Sequence, residues 1–328
     1  MSERSDKRLN TADTIPVFDG HVDLVYHMIR SGEDVPFNLV DSGPVTPEKM
    51  RKGDVRVIVN ALYCADRFNG PDTASEHFLS LLRFAESRLQ GLKPIKSRGE
   101  LKERFGAKQR PGVLTLVENA DCLLELDRDI LFQRSIFVIG LTHAGENRIG
   151  QGNGVSNPVG LTLQGKNLVR TLSEQHCVID VAHLSEPCFR DLTSIFNGPL
   201  ITTHTGLRNF ADLPRNLSLD QLKELRERGG LAGVTVNPEM LSVEGKATIH
   251  DVFMHIDWLV QRFGPRFVAL GSDFCGFDTP GGDIEDMSKF PRLAELMFGA
   301  GYSREAVGAI MGGNWLTFYD ALLPETNE

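Results

Sequence analysis

Eight short apolar runs recur along the 328-residue chain, separated by segments of helical spacing, and that alternation limits the folds open to it more than any other feature. The runs are TIPVF (14–18), VRVIVNALY (55–63), GVLTLVE (112–118), SIFVIGLTH (135–143), CVIDVAH (177–183), PLITTH (199–204), LAGVTVN (231–237) and FVALGSD (267–273). Short runs rich in β-branched residues read as strands buried on both faces, the pattern of a parallel sheet covered by helices. Between them, stretches such as ASEHFLSLLRFAESRLQGL, LTLQGKNLVRTLSEQ, SLDQLKELRERGG and IHDVFMHIDWLVQRFG place apolar residues three and four apart. Ser218 with Gln221 three residues on has the spacing of a capping box, and Gly229-Gly230 supplies a left-handed stop.

Eight strand–helix alternations in this length fit a (β/α)8 TIM barrel better than an open doubly wound sheet. The Gly-x-Gly-x-x-Gly turn of a dinucleotide-binding first strand is replaced by Gly20-His21-Val22-Asp23. No repeat or linker divides the chain, so residues 1–328 are expected to form one domain, with 1–13 a flexible N-terminal extension. The segment CGFDTPGGDIEDMSKFPR reads as a long loop over the strand ends, followed by three short helices.

Several runs end in residues that bind metals: His21 and Asp23 in VFDGHVD, Glu118 in GVLTLVE, His183 in VIDVAH and His204 in LITTH. Parallel barrels carry their functional side chains at the C-terminal ends of the strands, so these endings point to one shared rim. In an extended strand positions i and i+2 share a face, which lets His21 and Asp23 meet one ion, and nitrogen with carboxylate oxygen suits a divalent ion such as zinc. The alternative for this pair is a hydrogen-bonded histidine beside a helix-capping aspartate. Glu118 ends a core-facing run, where a lone charge is expensive; its two oxygens can bridge two metals, or it can pair with an arginine or cap the helix that follows. His183 and His204 terminate consecutive runs at one depth, as a pair of ligands would. Five ligands then suffice for two ions sharing Glu118.

Asp273, ending the eighth run, is placed to move a proton between a water and a leaving amine, with metal ligation or helix capping as alternatives. His143 can donate to a developing oxyanion. Arg215, on the loop after the sixth run, can grip a substrate carboxylate through two hydrogen bonds, unless it pairs with Asp212 or Asp220. The remaining histidines, His27, His77, His176, His250 and His255, fall in helix-like segments and read as surface or packing residues.

Composition narrows the partners. A formal net charge of -9 argues against nucleic acid or an anionic membrane surface as the main partner. MSERSDKRLNTADT lacks the apolar core of a secretory signal and no stretch matches a membrane span, so a cytoplasmic protein without a membrane anchor is expected. Five widely spaced cysteines without a CxxC pair read as free buried thiols.

The blocks DGHVDL, GLTHAGENRIGQG, GLTLQGKNLVRTLSEQHCVIDVAHLSEPCFRDL, PLITTHTGLRNFADLPRNLSLDQL, FVALGSDF and GYSREAVGAIMGGNWLTFY together resemble the membrane (renal) dipeptidase family of zinc metallopeptidases, a branch of the amidohydrolase-like barrels. The resemblance runs from about residue 15 to 320. It implies two Zn2+ ions, one on His21 and Asp23, the other on His183 and His204, bridged by Glu118 and a water or hydroxide. It further implies that His143 contacts the scissile group, that Arg215 receives the C-terminal carboxylate and that Asp273 shuttles the proton. The substrate would be a dipeptide, with a D-residue accepted at its C-terminal side, and a homodimer is expected. Two other outcomes stay open: an amidohydrolase acting on another amide, lactam or N-acyl amino acid, and a catalytically silent metal-binding barrel. The chain departs from the family where Glu118-Asn119 replaces Glu-Gly, where Asp273-Phe274-Cys275-Gly276 replaces DFDG, and where VNPEML brings Pro238 and Glu239 in place of a tyrosine.

Overall fold

The computed structural model describes residues 15–107 and 110–325, so the extension expected over residues 1–13 lies outside the described residues. Eight parallel strands form a nearly closed barrel: β1 (Val17–Val22), β2 (Val55–Tyr63), β3 (Gly112–Glu118), β4 (Val138–Gly140), β5 (Val178–Asp180), β6 (Leu200–Thr205), β7 (Ala232–Val234) and β8 (Val268–Leu270). Each pairs with the next in order. Past the end of β8 the chain turns back onto β1 through a parallel bridge between Val22 and Phe274, where Asp273 N–H donates to His21 O at 3.0 Å and Asp23 N–H to Phe274 O at 2.9 Å. A two-residue strand, Lys93–Pro94, pairs with the base of β3.

The period-two alternation of the strands sorts the core into two layers. Val57, Val59 and Ala61 of β2, with Leu114 and Leu116 of β3, fill the barrel interior beside Phe18 and Trp315. Ile58 and Leu62, with Val113 and Val117, face outward under the helices. The C-terminal helix Asn314–Leu322 plugs the interior from below: Trp315 is completely buried and its indole N–H donates to Leu270 O at 2.8 Å. Gly20 is required there, because a Cβ on it would lie 2.5 Å from the indole ring.

The helices expected from sequence appear as Thr73–Arg88, Leu163–Glu174, Leu219–Glu227 and Ile249–Phe263. Ser218 and Gln221 form the reciprocal capping box, and Gly229 follows with a left-handed φ of 70°. Three short helices, Phe290–Gly299, Arg304–Gly308 and Asn314–Leu322, end the chain, joined by a π-helical turn at Ala309–Gly313. The five cysteines are free and buried. Among the described residues no helix is long and apolar enough to cross a membrane.

Two expectations are corrected. The first strand does not occupy 14–18 but Val17–Val22, and several later strands stop short of the apolar runs that contain them; β4, β5, β7 and β8 hold three residues each. The runs continue past the ladder into turns that carry the polar residues, and three of these turn residues take left-handed backbone: Asn119 (φ 72°), His183 (φ 64°) and Asp273 (φ 66°). Non-glycine residues adopt that region at a cost and tend to do so at functional sites. The same effect revises the extended-strand argument for Asp23, which sits past β1 at the N-cap of helix Leu24–Ser31.

Candidate metal centre

The eight residues singled out in the sequence come together at the C-terminal mouth of the barrel. Asp23, Glu118, His143, His183, Arg215 and Asp273 line one cavity of about 430 Å³, with Tyr26, Tyr63, Asn237 and Glu239 on its walls. His21 and His204 sit at its floor, with 0% and 1% exposure. A larger cleft of about 1010 Å³ lies at the opposite end of the barrel beside Asp54, Arg56 and Lys93, and none of the metal-competent clusters among the described residues is there.

Glu118 is the hub. Its Oε2 lies 3.8 Å from His21 Nε2, and its Oε1 lies 2.9 Å from His183 Nε2 and 3.9 Å from His204 Nε2. His21 Nε2 is 3.5 Å from Asp23 Oδ2, and His204 Nε2 is 3.2 Å from His183 Nε2. Two clusters of metal-competent atoms therefore share Glu118, one with His21 and Asp23, the other with His143 and His183. A third grouping of His21, Asp180 and His204 also falls within range. Its carboxylate is already engaged by backbone and hydroxyl donors, so it supports the imidazoles from behind.

The donor set fits a divalent cation. His21 Nε2 and Asp23 Oδ1 are buried without a hydrogen-bond partner among the described residues, and buried polar atoms rarely stay unpaired without a reason such as an ion. At the N-cap of its helix the Asp23 side chain makes no capping hydrogen bond, which removes the capping alternative for it. The carboxylates also call for positive charge. Burial disfavours the His21 imidazolium, but Glu118, Asp23 and Asp273 outweigh it and hold its pKa up to about 10. Burial and the Glu118 charge raise Asp23 in turn. For Glu118, burial pushes upward but His21, His204, His143 and Arg215 pull its carboxyl below the usual range. Asp273 is pushed up to about 7 by burial and the neighbouring Asp23 charge.

Asp273 stands beside this cluster, Oδ1 3.8 Å from His204 Nε2, and its Oδ2 accepts from Asn237 Nδ2 at 3.0 Å. Gly276 guards the same corner: a Cβ there would lie 2.5 Å from both Asp23 Oδ2 and Asp273 Oδ1. Arg215 makes no ion pair with Asp212 or Asp220; it is turned inward, its Nη2 2.5 Å from His204 Nε2 and 3.0 Å from His183 Nε2. His143 faces the cavity with its ring centroid 4.3 Å from that of His183.

Four supporting residues escaped the sequence reading. Asp66 Oδ2 lies 3.3 Å from His143 Nδ1 and accepts Gly145 N–H at 2.9 Å, which orients the imidazole. Asn237 holds Asp273, and Thr203 with Asp180 lies behind His21 and His204. Asp180 carried the one legible signal, a carboxylate inside the apolar run CVIDVAH. Asn119, where the sequence departs from the resembled Glu-Gly pattern, takes a left-handed backbone with φ of 72°. Its side chain ties three loops, donating to Cys64 O at 2.6 Å and Asn69 Oδ1 at 2.8 Å and accepting from Asn147 Nδ2 at 2.7 Å. Glu239 follows β7 and faces the cavity.

The membrane dipeptidase family (peptidase family M19) matches residues 6–322. Dipeptidase verJ of Clonostachys rogersoniana is 23% identical over 98% of this chain and 88% of its own length. An uncharacterised protein from the pqqA 5′ region of Klebsiella pneumoniae is 32% identical, over 52% of this chain and 66% of its own length. In fold, the chain resembles a metallopeptidase from Rhodobacter sphaeroides whose structure holds a phosphinate mimic of the dipeptide L-Ala-D-Ala, with a TM-score of 0.81, 24% identity, and coverage of 93% and 98% of the two chains.

Proposed function

We propose, from the premise that this chain belongs to the membrane dipeptidase family, that it is a binuclear zinc dipeptidase acting on free dipeptides, including those with a D-residue at the C-terminal side. The observation that carries this reading is the position of Glu118 between His21–Asp23 on one side and His183–His204 on the other. On this reading His21 and Asp23 would hold one ion, His183 and His204 the other, and Glu118 would serve both. Zinc held by these residues would supply Lewis acidity and the acidification of water that such sites provide near neutral pH.

The chain's own groups supply the rest. Asp273 takes a proton at its carboxylate and returns it to the departing amine, held in place by Asn237. His143, oriented by Asp66, donates to the oxygen that gains charge as the carbonyl becomes tetrahedral. Arg215 binds the C-terminal carboxylate of the substrate, and the walls of Tyr26, Tyr63 and Glu239 limit what side chains fit. Acceptance of a D-residue is supported by the Rhodobacter sphaeroides metallopeptidase of similar fold, whose structure holds an L-Ala-D-Ala mimic.

Arg215 tests the substrate class. Arg215→Met should raise KM for a dipeptide about tenfold or more, the equivalent of the roughly 1.5–3 kcal/mol of hydrogen bonds to a charged group. C-terminally amidated dipeptides should be poor substrates for the unmodified enzyme and indifferent to the substitution. Equal hydrolysis of free and amidated dipeptides, in steady-state assays of both proteins, would instead indicate an amidohydrolase that does not read a free carboxylate.

A further inference from the structure

Behind the ligand cluster a single hydroxyl touches two imidazoles. Thr203 Oγ1 lies 2.9 Å from His21 Nδ1, 3.0 Å from His204 Nδ1 and 2.5 Å from Asp180 Oδ2. All four residues are buried, so water does not compete for these bonds. Thr203 and His204 are neighbours in sequence and would face opposite ways in a regular strand. The pairing of β6 with β7 breaks register between Thr202 and Thr205, which lets both reach the same region.

Counting donors and acceptors fixes the protons. Asp180 Oδ1 accepts Ala182 N–H and Thr203 N–H, each at 3.0 Å, which leaves Oδ2 to take the hydroxyl proton of Thr203. A hydroxyl has one donor and two acceptor lone pairs, so with its proton on Asp180 it can only accept from the two imidazoles. Both Nδ1 atoms then carry hydrogen, so that in the neutral imidazoles a metal would bind, both Nε2 lone pairs face the cavity. Arg215 gives an independent check on His204. A guanidinium is donor-only, so the Nε2 that it approaches at 2.5 Å must accept. The Nε2 of His21 has no hydrogen-bond partner and faces Asp23 and Glu118.

We infer that Asp180 and Thr203 form one positioning pair shared by both halves of the metal site, holding His21 and His204 in the Nδ1–H form with their Nε2 atoms available as ligands. This rests on the two-metal reading above, in which the two histidines serve different ions. Outer partners of this kind set the orientation and basicity of ligating imidazoles, and their loss commonly weakens metal binding by about 10–100-fold. Here one hydroxyl serves two ligands, so its removal should weaken both positions together.

The test compares Thr203→Val, Thr203→Ser and Asp180→Asn in the full chain by zinc competition against a chromophoric chelator. Thr203→Val keeps the shape and removes the hydroxyl; zinc affinity is expected to fall about 10–100-fold at both positions. Thr203→Ser should retain wild-type affinity. Asp180→Asn turns an N–H toward Thr203 and frees the hydroxyl proton to point at one imidazole, so one position should weaken more than the other. In 15N-histidine NMR of the zinc-loaded wild-type protein, His21 and His204 should show protonated Nδ1 and metal-bound Nε2, a readout that stands even if the valine variant does not fold. Wild-type affinity for both ions in Thr203→Val, or a metal-bound Nδ1 on either histidine, would overturn the inference alone. A wild-type chain that takes up no zinc at these residues would overturn the two-metal reading and the inference with it.

Discussion

Asp273→Asn is expected to lower kcat for dipeptide hydrolysis by about 10²–10⁴-fold, the usual contribution of a positioned proton-transfer group, while metal content stays at the wild-type level. The substitution is nearly isosteric and keeps an oxygen for the Asn237 amide, which donates to Asp273 Oδ2 at 3.0 Å. What it removes is the ability to accept and return a proton. Asp273 is poised for that exchange because its left-handed backbone, φ 66°, aims it inward from past the end of β8. Its Oδ1 stays 3.8 Å from His204 Nε2, beside the ligands. Single-turnover rates with metal analysis on the same preparation separate the two effects. A variant with full metal and a kcat close to wild type would remove Asp273 from the proton path; one that loses metal would make it a ligand.

Glu118→Gln should have the broadest consequence, because Glu118 stands between the His21–Asp23 pair and the His183–His204 pair. Its oxygens lie 2.9 Å from His183 Nε2 and 3.8 Å from His21 Nε2, so the amide weakens two positions at once. The loss of zinc affinity should exceed the roughly 10–100-fold that follows removal of an outer partner, and activity should fall to background. The fold should survive. Glu118 ends β3 at the barrel mouth, while the packed interior of Phe18, Leu114 and Trp315 lies below it, and the substitution relieves repulsion with Asp23. Thermal unfolding of the metal-free variant at or above the wild-type temperature, with zinc binding lost, is the expected pattern. Undiminished zinc binding would contradict a bridging role.

The parts of this site legible in the sequence were those announced by local cost. An imidazole or carboxylate ending an apolar run, as at Glu118, His183 and His204, is expensive unless it has a partner, and that expense shows in one dimension. The barrel was legible for a similar reason, since buried parallel strands read as uninterrupted apolar runs. The strand ends were not. Apolar character continues past the hydrogen-bonded ladder into the turns at His143, His183 and Asp273, so the runs overstate β4, β5 and β8. Least legible were the residues that act across the barrel. Thr203 reaches His21 from 182 positions away and Asp66 reaches His143 from 77, and a threonine in a β-branched run gives no local hint of either kind of contact.

Two metal ions sharing Glu118 should both be needed for dipeptide hydrolysis. Stepwise addition of zinc to the metal-free chain, with bound metal and hydrolysis of L,L- and L,D-dipeptides followed at each step, tests it directly. Activity should rise to its maximum only as bound zinc reaches two equivalents per chain, vanish with a chelator and return when zinc is restored. Full activity at one equivalent or fewer would contradict it.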